Sequence, residues 1–356
     1  MEEFFKDLKV IELASVLAGP AAGMFFAELG AKVIKVENKN SGGDVTRSWR
    51  LPDEPAAGPS AYYAAPNYGK EPLMLNLLEP ESRAQLAELI KDADLVLSNY
   101  AEKTARKLSV HWEDLRKLNP GLIFIQLDGF AASDRPAYDV VLQAETGWIS
   151  MTGAAESQPA KLPVALIDII AGHQLKEAAL LGIIHQMRTG KGSLWRCNLE
   201  QASLSALANQ ATNYLMNGKV AKPSGTTHPN IAPYGDWFTS ADKIRFVLAV
   251  GSDAQFEKLC EVLSCQDLSS DARYITNTMR VANRTSLCAA LQAAISYFPF
   301  ATLTKNFDVQ NIPFGEIKAL DKVLQSEAAE EMLRTENIEG RDTKRISGNA
   351  FTFESF

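Results

Sequence analysis

The sequence predicts an α/β fold, a parallel sheet covered by helices on both faces, followed by a smaller α+β unit. Two observations carry this. Short β-rich apolar runs alternate with helical patterns through the first half of the chain, and a Pro/Gly-rich stretch then separates them from a hairpin-and-helix pattern.

Taken in order, LKVIEL at 8–13 reads as a strand, Gly19-Pro20 opens a small-residue helix reaching Leu29 and Gly30, and KVIKVE at 32–37 is a second strand. This is a βαβ unit. The pattern recurs in LMLNL at 73–77, a polar-faced helix from Pro80 to Asp92, LVLSNY at 95–100, WEDLRKLNPG, and LIFIQL at 122–127. Strands separated by helices pair in parallel, because the helix carries the chain back across the sheet. The segment 38–71, rich in Gly, Pro, Ser and Tyr, is too long for a plain connection and is expected to be functional or mobile.

From Ile169 to Met187, apolar residues at Leu175, Ala179, Leu180, Ile183, Ile184 and Met187 recur every three or four positions, giving a helix with one buried stripe. RTGKG ends it, with Gly190 as the C-cap. SLWRCNL is a strand, and a helix ending at Gly218 follows. DWFTSADKIRFVLAV reads as a hairpin turning at 240–243, with helices from SDAQFEKLCEVL to residue 306. The expected division is a large domain at 1–218, a linker at 219–236, a small α+β domain at 237–312 and a return segment at 313–356.

Composition narrows the function. The 356 residues, 46% of them hydrophobic, can bury a large core without disulfides or metal. A net charge of -7 argues against a nucleic-acid partner, which needs a basic face. Cys197, Cys260, Cys265 and Cys288 form no CxxC pair and match no histidine spacing, so no metal site is expected. The N-terminus lacks the zones of a signal peptide, and no apolar run approaches the roughly 18 residues needed to span a bilayer. A cytoplasmic protein without a membrane partner is the expectation.

Glu37 ends the second strand where a ribose-binding acid would sit in a dinucleotide site. The turn, SVLAGPAAG, is not GxGxxG, and Pro20 lacks an N–H. It is either a packing turn with proline at the first helical position or a turn that lets a ligand approach the backbone. Asp168 interrupts the apolar stretch LPVALIDIIAG where a strand-like run meets the long helix. It is either the helix N-cap or a desolvated carboxylate aimed at a ligand. His111, His173 and His185 form no set, and GxSxG is absent, so a hydrolase triad is not expected.

Further segments line up in order: GGDVTR at 42–47, NY at 99–100 with Arg106-Lys107, RPAYDVVLQAETG at 135–147, PVALIDIIAG at 163–172, RTGKG at 188–192, HPNIAPYG at 228–235 and FVLAVGSDAQFEKLCEVL at 246–263. With LKVIELASVLAGPAAGMFFAELGAKVIKVE, they make the chain resemble the class III coenzyme A transferases and the related 2-methylacyl-CoA racemases across nearly its whole length. The resemblance implies a Rossmann-like large domain made from both ends of the chain, a small domain, and an interlocked homodimer. It implies an acyl-CoA:carboxylate CoA-transferase using acyl-CoA and a carboxylic acid acceptor, with no metal. Asp168 falls on the family's nucleophile, which passes through a mixed anhydride to an aspartyl-CoA thioester.

Tyr138 falls near the thioester, and the backbones of Leu17, Ala18, Gly19 and Gly172 are candidate oxyanion donors. The family's CoA contacts fall on Glu37, Asn38, Leu75, Asn76, Asn99, Tyr100, Lys107 and Arg135. Some positions depart from the family. Asn38 stands where relatives often carry Arg, and Leu77-Leu78 where some carry Lys, leaving Lys39, Arg47 or Arg106 to compensate or a modest CoA affinity. Tyr138 replaces the racemases' proton-transferring His, which favours CoA transfer over α-proton exchange. Leu17 replaces the Gln of the formyl-CoA transferase branch, and no glycine run is present, which disfavours oxalate and formate. Few cations lie near the motifs, so strong selection for a dianion is not expected. The chain ends at FTFESF, without the family's usual final helix. The alternatives are a racemase or epimerase, with Asp168 as one acid/base and Tyr138 or Asp139 as the second, and a non-catalytic CoA-binding relative.

Overall fold

The computed structural model describes residues 3–154 and 158–354. Internal contacts divide the chain into two compact units. The larger combines the segment ending at Ser150 with Lys161–Ala221 and the segment beginning at Glu327; the smaller combines Met151–Ala160 with Lys222–Ser326.

The larger unit is built on β1 (Lys9–Leu13), β2 (Lys32–Asn38), β3 (Glu71–Leu75), β4 (Leu95–Ser98), β5 (Ile123–Asp128) and β6 (Ser193–Asn198). They form a 6-stranded sheet in the order β3-β2-β1-β4-β5-β6. Every neighbouring pair is parallel. This is the doubly wound order, in which the chain leaves β1 toward one edge and later returns to lay β4 on its other side. The crevice between the carboxyl ends of β1 and β4 is where such sheets bind ligands. Apolar clusters cover both faces. Helices Ala18–Glu28 and Leu166–Thr189 contribute to one, and Pro80–Lys91 and Trp112–Leu118 to the other. Burial on both sides explains why the central strands read as continuous apolar runs.

Two expectations are refined here. The helix ending at Gly218 is broken into Leu199–Ser205 and Ala208–Asn217, with Gly218 left-handed at φ 65°. The last part of the chain includes a hairpin of β10 (Leu333–Ile338) and β11 (Arg341–Ile346). This hairpin pins the long 38–71 segment by ionic contacts. Arg341 donates to Glu54 at 2.7 Å and to the Pro59 carbonyl at 2.6 Å, and Arg47 donates to Glu339 at 2.9 Å.

The smaller unit holds an antiparallel sheet of β7 (Tyr234–Thr239), β8 (Arg245–Ala249) and β9 (Phe314–Glu316) around its own apolar core. β9 lies inside the stretch read as return segment and β7 begins inside the stretch read as linker. By internal contacts this unit extends to Ser326. A strand of three residues is too short to leave a period-2 signal. No described helix is by itself long and apolar enough to cross a membrane.

Candidate active site

The turn after β1 crosses the switch point and is held from both sides. Ser15 N–H donates to Asn99 Oδ1 at 3.2 Å, and Asn99 Nδ2 donates to the Ser15 carbonyl at 3.0 Å. Val16 adopts φ 74°, a left-handed conformation that is a genuine outlier for a β-branched residue. Its N–H donates to Asp44 Oδ2 at 3.1 Å. The helix Ala18–Glu28 starts at once, so the amides of Ala18 and Gly19 have no intrahelical acceptor. Pro20 is the third helical residue, where its missing N–H is harmless.

Asp168 is the third residue of the helix Leu166–Thr189, not its cap. The cap comes from elsewhere: Asp139 Oδ1 accepts the N–H of Ile167 at 2.7 Å and that of Asp168 at 3.4 Å, and Asp139 Oδ2 accepts from Gln143 Nε2 at 2.5 Å. Asp168 is thereby freed of capping. It is 8% exposed, and among the described residues its carboxylate accepts no hydrogen bond. It lines a cavity of about 60 Å³ with Ser15, Val16, Leu17, Ala18 and Tyr138. A largely buried carboxylate without a hydrogen-bond partner is costly to ionise. Burial, and then the Asp139 charge, push its carboxyl up to about 7. Tyr62, half-buried, feels the same group: burial and then the Asp168 charge push its phenol up.

This makes a prediction. Asp139→Asn keeps an amide oxygen to cap the helix but removes the charge, so the Asp168 carboxyl should titrate lower and the acid limb of the pH–rate profile should move to lower pH. Measuring kcat/KM between pH 5 and pH 9, roughly two units either side of the Asp168 midpoint, checks it; an unmoved limb would assign that limb to another group.

A trail of hollows leads away from Asp168. One of about 260 Å³ shares Ser15 and Asn99 with the Asp168 cavity and reaches Glu37, Asn38 and Tyr100. The next, also about 260 Å³, shares Glu37, Asn38 and Tyr100 and ends at Leu75, Asn76 and Lys107. Lys107 is exposed and has no ion pair among the described residues. Arg135 lies apart from this trail. It lines a hollow of about 500 Å³ that meets the cavity at Asn99, Leu127, Ala137 and Leu199; it is paired with Glu145 and stacks 3.9 Å over Phe130.

Several candidates prove to be committed elsewhere. Glu37 lines the trail, but its carboxylate accepts from the Asp44 N–H at 2.7 Å, Arg47 at 2.6 and 2.9 Å, and Tyr63 at 2.6 Å. Burial alone would raise its carboxyl, yet these donors, Arg47 foremost, hold it below the ordinary range. Its carboxylate is committed within the wall of the groove. Gly43, at φ 97°, must be glycine, since a Cβ there would lie 2.3 Å from Glu37 Oε2. Arg47 is thereby locked, and Arg106 is held by Glu102 and Glu113, so neither is free to replace a phosphate-binding cation. Gly172 sits in the helix interior with its amide in the i−4 ladder, so it cannot donate to an oxyanion. A Cβ there would lie 3.1 Å from the Ala18 carbonyl oxygen, so glycine keeps this helix contact unstrained. Gly19 does not line the cavity; a Cβ there would strike Ala14 at 2.4 Å. Asp44 and Tyr62 are not singled out by the sequence, and Asp139 enters there only as a second acid/base of a racemase, not as the cap of the Asp168 helix. For Asp139 the available signal was its four-residue spacing to Gln143 at a helix start.

With this geometry in place, comparison with known proteins decides the assignment. The model of CoA-transferase family III matches residues 5–355. The chain belongs to that family. It is a class III CoA-transferase, moving CoA between an acyl-CoA and a carboxylate. The transferase is 36% identical to a succinate–glutarate CoA-transferase of Agrobacterium fabrum over 96% of this chain and 86% of that one. It is 33% identical to a mouse succinyl-CoA:glutarate CoA-transferase, covering 89% of this chain and 73% of the relative. A crystal structure of a CAIB/BAIF family protein from Brucella suis matches it with a TM-score of 0.83 at 34% identity, covering 97% and 91% of the two chains. The transferase thus carries its unpartnered acid in the crevice where a doubly wound sheet presents ligands.

Proposed function

We propose that Asp168 is the nucleophile of the transfer and that the trail from Lys107 to the Asp168 cavity seats CoA. The observation that carries this is a buried carboxylate without a hydrogen bond, lining a cavity beside free helix N–H groups. A carboxylate poorly solvated in a cavity is a stronger nucleophile than one in water, and an acyl carbonyl over it would meet the Leu17 and Ala18 amides.

The steps balance without metal or ATP. An Asp168 oxygen attacks the thioester carbonyl; collapse of the tetrahedral oxyanion expels CoA thiolate and leaves a mixed anhydride. The thiolate attacks the Asp168 carbonyl carbon, releasing the donor acid as carboxylate and leaving an aspartyl-CoA thioester. The acceptor carboxylate attacks that thioester, frees the thiolate again, and the thiolate takes the acceptor's carbonyl from the second anhydride. Asp168 is regenerated. Water must be kept out, since it would hydrolyse each intermediate.

The relatives are named for succinate, glutarate and oxalate. Against the expectation from the scarcity of cations, we infer a dicarboxylic acid acceptor, with CoA affinity resting on Lys107, Asn76 and backbone contacts. An interlocked homodimer fits the apolar side chains left exposed on the larger unit, such as Met187 at 81% and Leu215 at 79%, and the mass in solution tests it. A cytoplasmic setting accords with four free cysteines.

The deciding experiment is incubation with acyl-CoA alone, followed by digestion and mass spectrometry. A CoA adduct on the peptide bearing Asp168 is expected. Turnover of acyl-CoA with a dicarboxylate and no trappable adduct under rapid quench would remove this mechanism.

A further inference from the structure

We propose that Asp44 is a positioning residue for CoA transfer: by gripping the Val16 amide, it holds the turn before the helix Ala18–Glu28 in the shape that presents the Leu17 and Ala18 N–H groups to the thioester oxygen over Asp168. The inference rests on the reading of Asp168 as nucleophile and goes a step further back, to what aims its oxyanion donors.

Val16 is the starting point. A β-branched residue at φ 74° is strongly disfavoured, and glycine would take that conformation freely. The valine stays there only if its surroundings over-determine it, and strained backbone of this kind gathers at functional sites. Asp44 supplies the restraint. Its Oδ2 and Oδ1 lie 3.1 and 3.4 Å from the Val16 nitrogen. The carboxylate is itself immobilised, with Oδ1 accepting from the Thr46 N–H at 3.0 Å and Thr46 Oγ1 at 2.8 Å, and Oδ2 lying 3.1 Å from Lys35 Nζ. Asp44 is only 6% exposed. Burial opposes its ionisation, but Lys35, and then the Thr46 bonds, hold its carboxyl below the ordinary range, so the grip is charge-assisted.

The neighbouring residues are clamped in the same sense. Asn99 fixes Ser15 by both its N–H and its carbonyl, and Lys35 Nζ donates to the Ala14 carbonyl at 2.8 Å. Of the turn leading to the helix, Val16 is the residue with an unfavourable backbone, and Asp44 is its partner. The motif GGDVTR thereby acquires a role: Gly43 wraps the chain around Glu37 so that Asp44 can reach Val16.

A merely structural Asp44 would alter stability and leave the chemical step intact; a positioning one acts through Val16. The test is steady-state kinetics with acyl-CoA for Asp44→Asn, Val16→Gly and the double variant, with melting temperatures and CoA affinity in parallel. Asp44→Asn is expected to lower kcat on the order of 10²-fold while KM and CoA affinity stay within about threefold. In the Val16→Gly background the same change should lower kcat less than about fivefold, because glycine holds the turn's φ unaided. Equal losses in the two backgrounds, or full kcat in folded Asp44→Asn, would overturn the proposal. Should Asp44→Asn not fold, Thr46→Val leaves every charge in place: a kcat loss of about tenfold that Val16→Gly shrinks supports the proposal, and a loss that Val16→Gly leaves unchanged overturns it. Rapid-quench measurement of the Asp168 adduct separates the two readings. An adduct that forms in the wild type and is not slowed in Asp44→Asn sinks the positioning role alone, whereas a wild type that forms none removes the nucleophile as well.

Discussion

Asp168→Asn is expected to lower kcat by on the order of 10⁴-fold or more while making the folded protein more stable above neutral pH. The first half follows from covalent catalysis. The amide matches the carboxylate in shape but has no lone pair of comparable nucleophilicity, and no other described carboxylate lines the Asp168 cavity. The second half follows from linkage. In the fold the Asp168 carboxyl titrates at about 7; in an unfolded chain it would do so near ~4. The native state therefore holds this proton more tightly. Stability from the neutral acid is fully present below the unfolded value and is lost as pH rises through the folded one. Asparagine is neutral throughout, so its advantage should be absent at low pH and reach on the order of 2–4 kcal/mol at pH 8. Denaturant or thermal unfolding of both proteins across this window measures it. Equal stabilities at pH 8 would mean that the carboxylate is better solvated than its 8% exposure implies.

This pairing of lost activity with gained stability explains how far the site was legible in sequence. Asp168 could be found because an acid inside LPVALIDIIAG contradicts its surroundings, and such local conflicts concentrate at functional positions. Whether it capped the helix could not be read, because the true cap, Asp139, lies 29 residues earlier and reaches the amides only through the fold. The same distance problem hid the partners of Glu37. Its position at the end of β2 is where a ribose-binding acid belongs, but the donors that saturate it, Arg47 and Tyr63, come from the 38–71 segment, which has no periodic signal.

The sheet was readable for the opposite reason. Strands such as LVLS and IFIQL are buried on both faces, so their apolar runs are dictated locally. Strands β10 and β11 are polar, LRTENI and RDTKRI, and the hairpin is fastened to the 38–71 segment by ionic contacts between distant residues. Binary patterning does not register contacts of that type. The shape of the turn at Val16 was hidden too, since nothing in SVLAGPAAG announces a left-handed valine; that conformation is a property of Asp44 and Asn99 as much as of the turn.

The buried ion cluster beneath that turn carries the second large expectation: Lys35→Met should cost about 3–5 kcal/mol of stability. Lys35 Nζ lies 2.8 Å from Glu12 Oε1 and 3.1 Å from Asp44 Oδ2, and its side chain is 1% exposed. Burial would lower its ammonium, but Glu12 and then Asp44 outweigh this and raise it, so it remains charged. Lys70 lies 2.7 Å from Glu12 Oε2, and burial pushes it down to about 8. Lys35 and Lys70 against Glu12 and Asp44 make a neutral cluster. Removing Lys35 leaves one buried negative charge uncompensated, and breaking such a set is far more damaging than replacing it whole. The melting temperature should fall by more than about 6 °C at neutral pH. Adding Glu12→Gln restores neutrality, with Lys70 against Asp44, and should return at least about half of the loss. A double variant no more stable than Lys35→Met would show that Lys35 acts through its packing and its bond to the Ala14 carbonyl rather than through charge. The turn that aims the Leu17 and Ala18 amides would then be supported by shape, with the ion cluster a bystander.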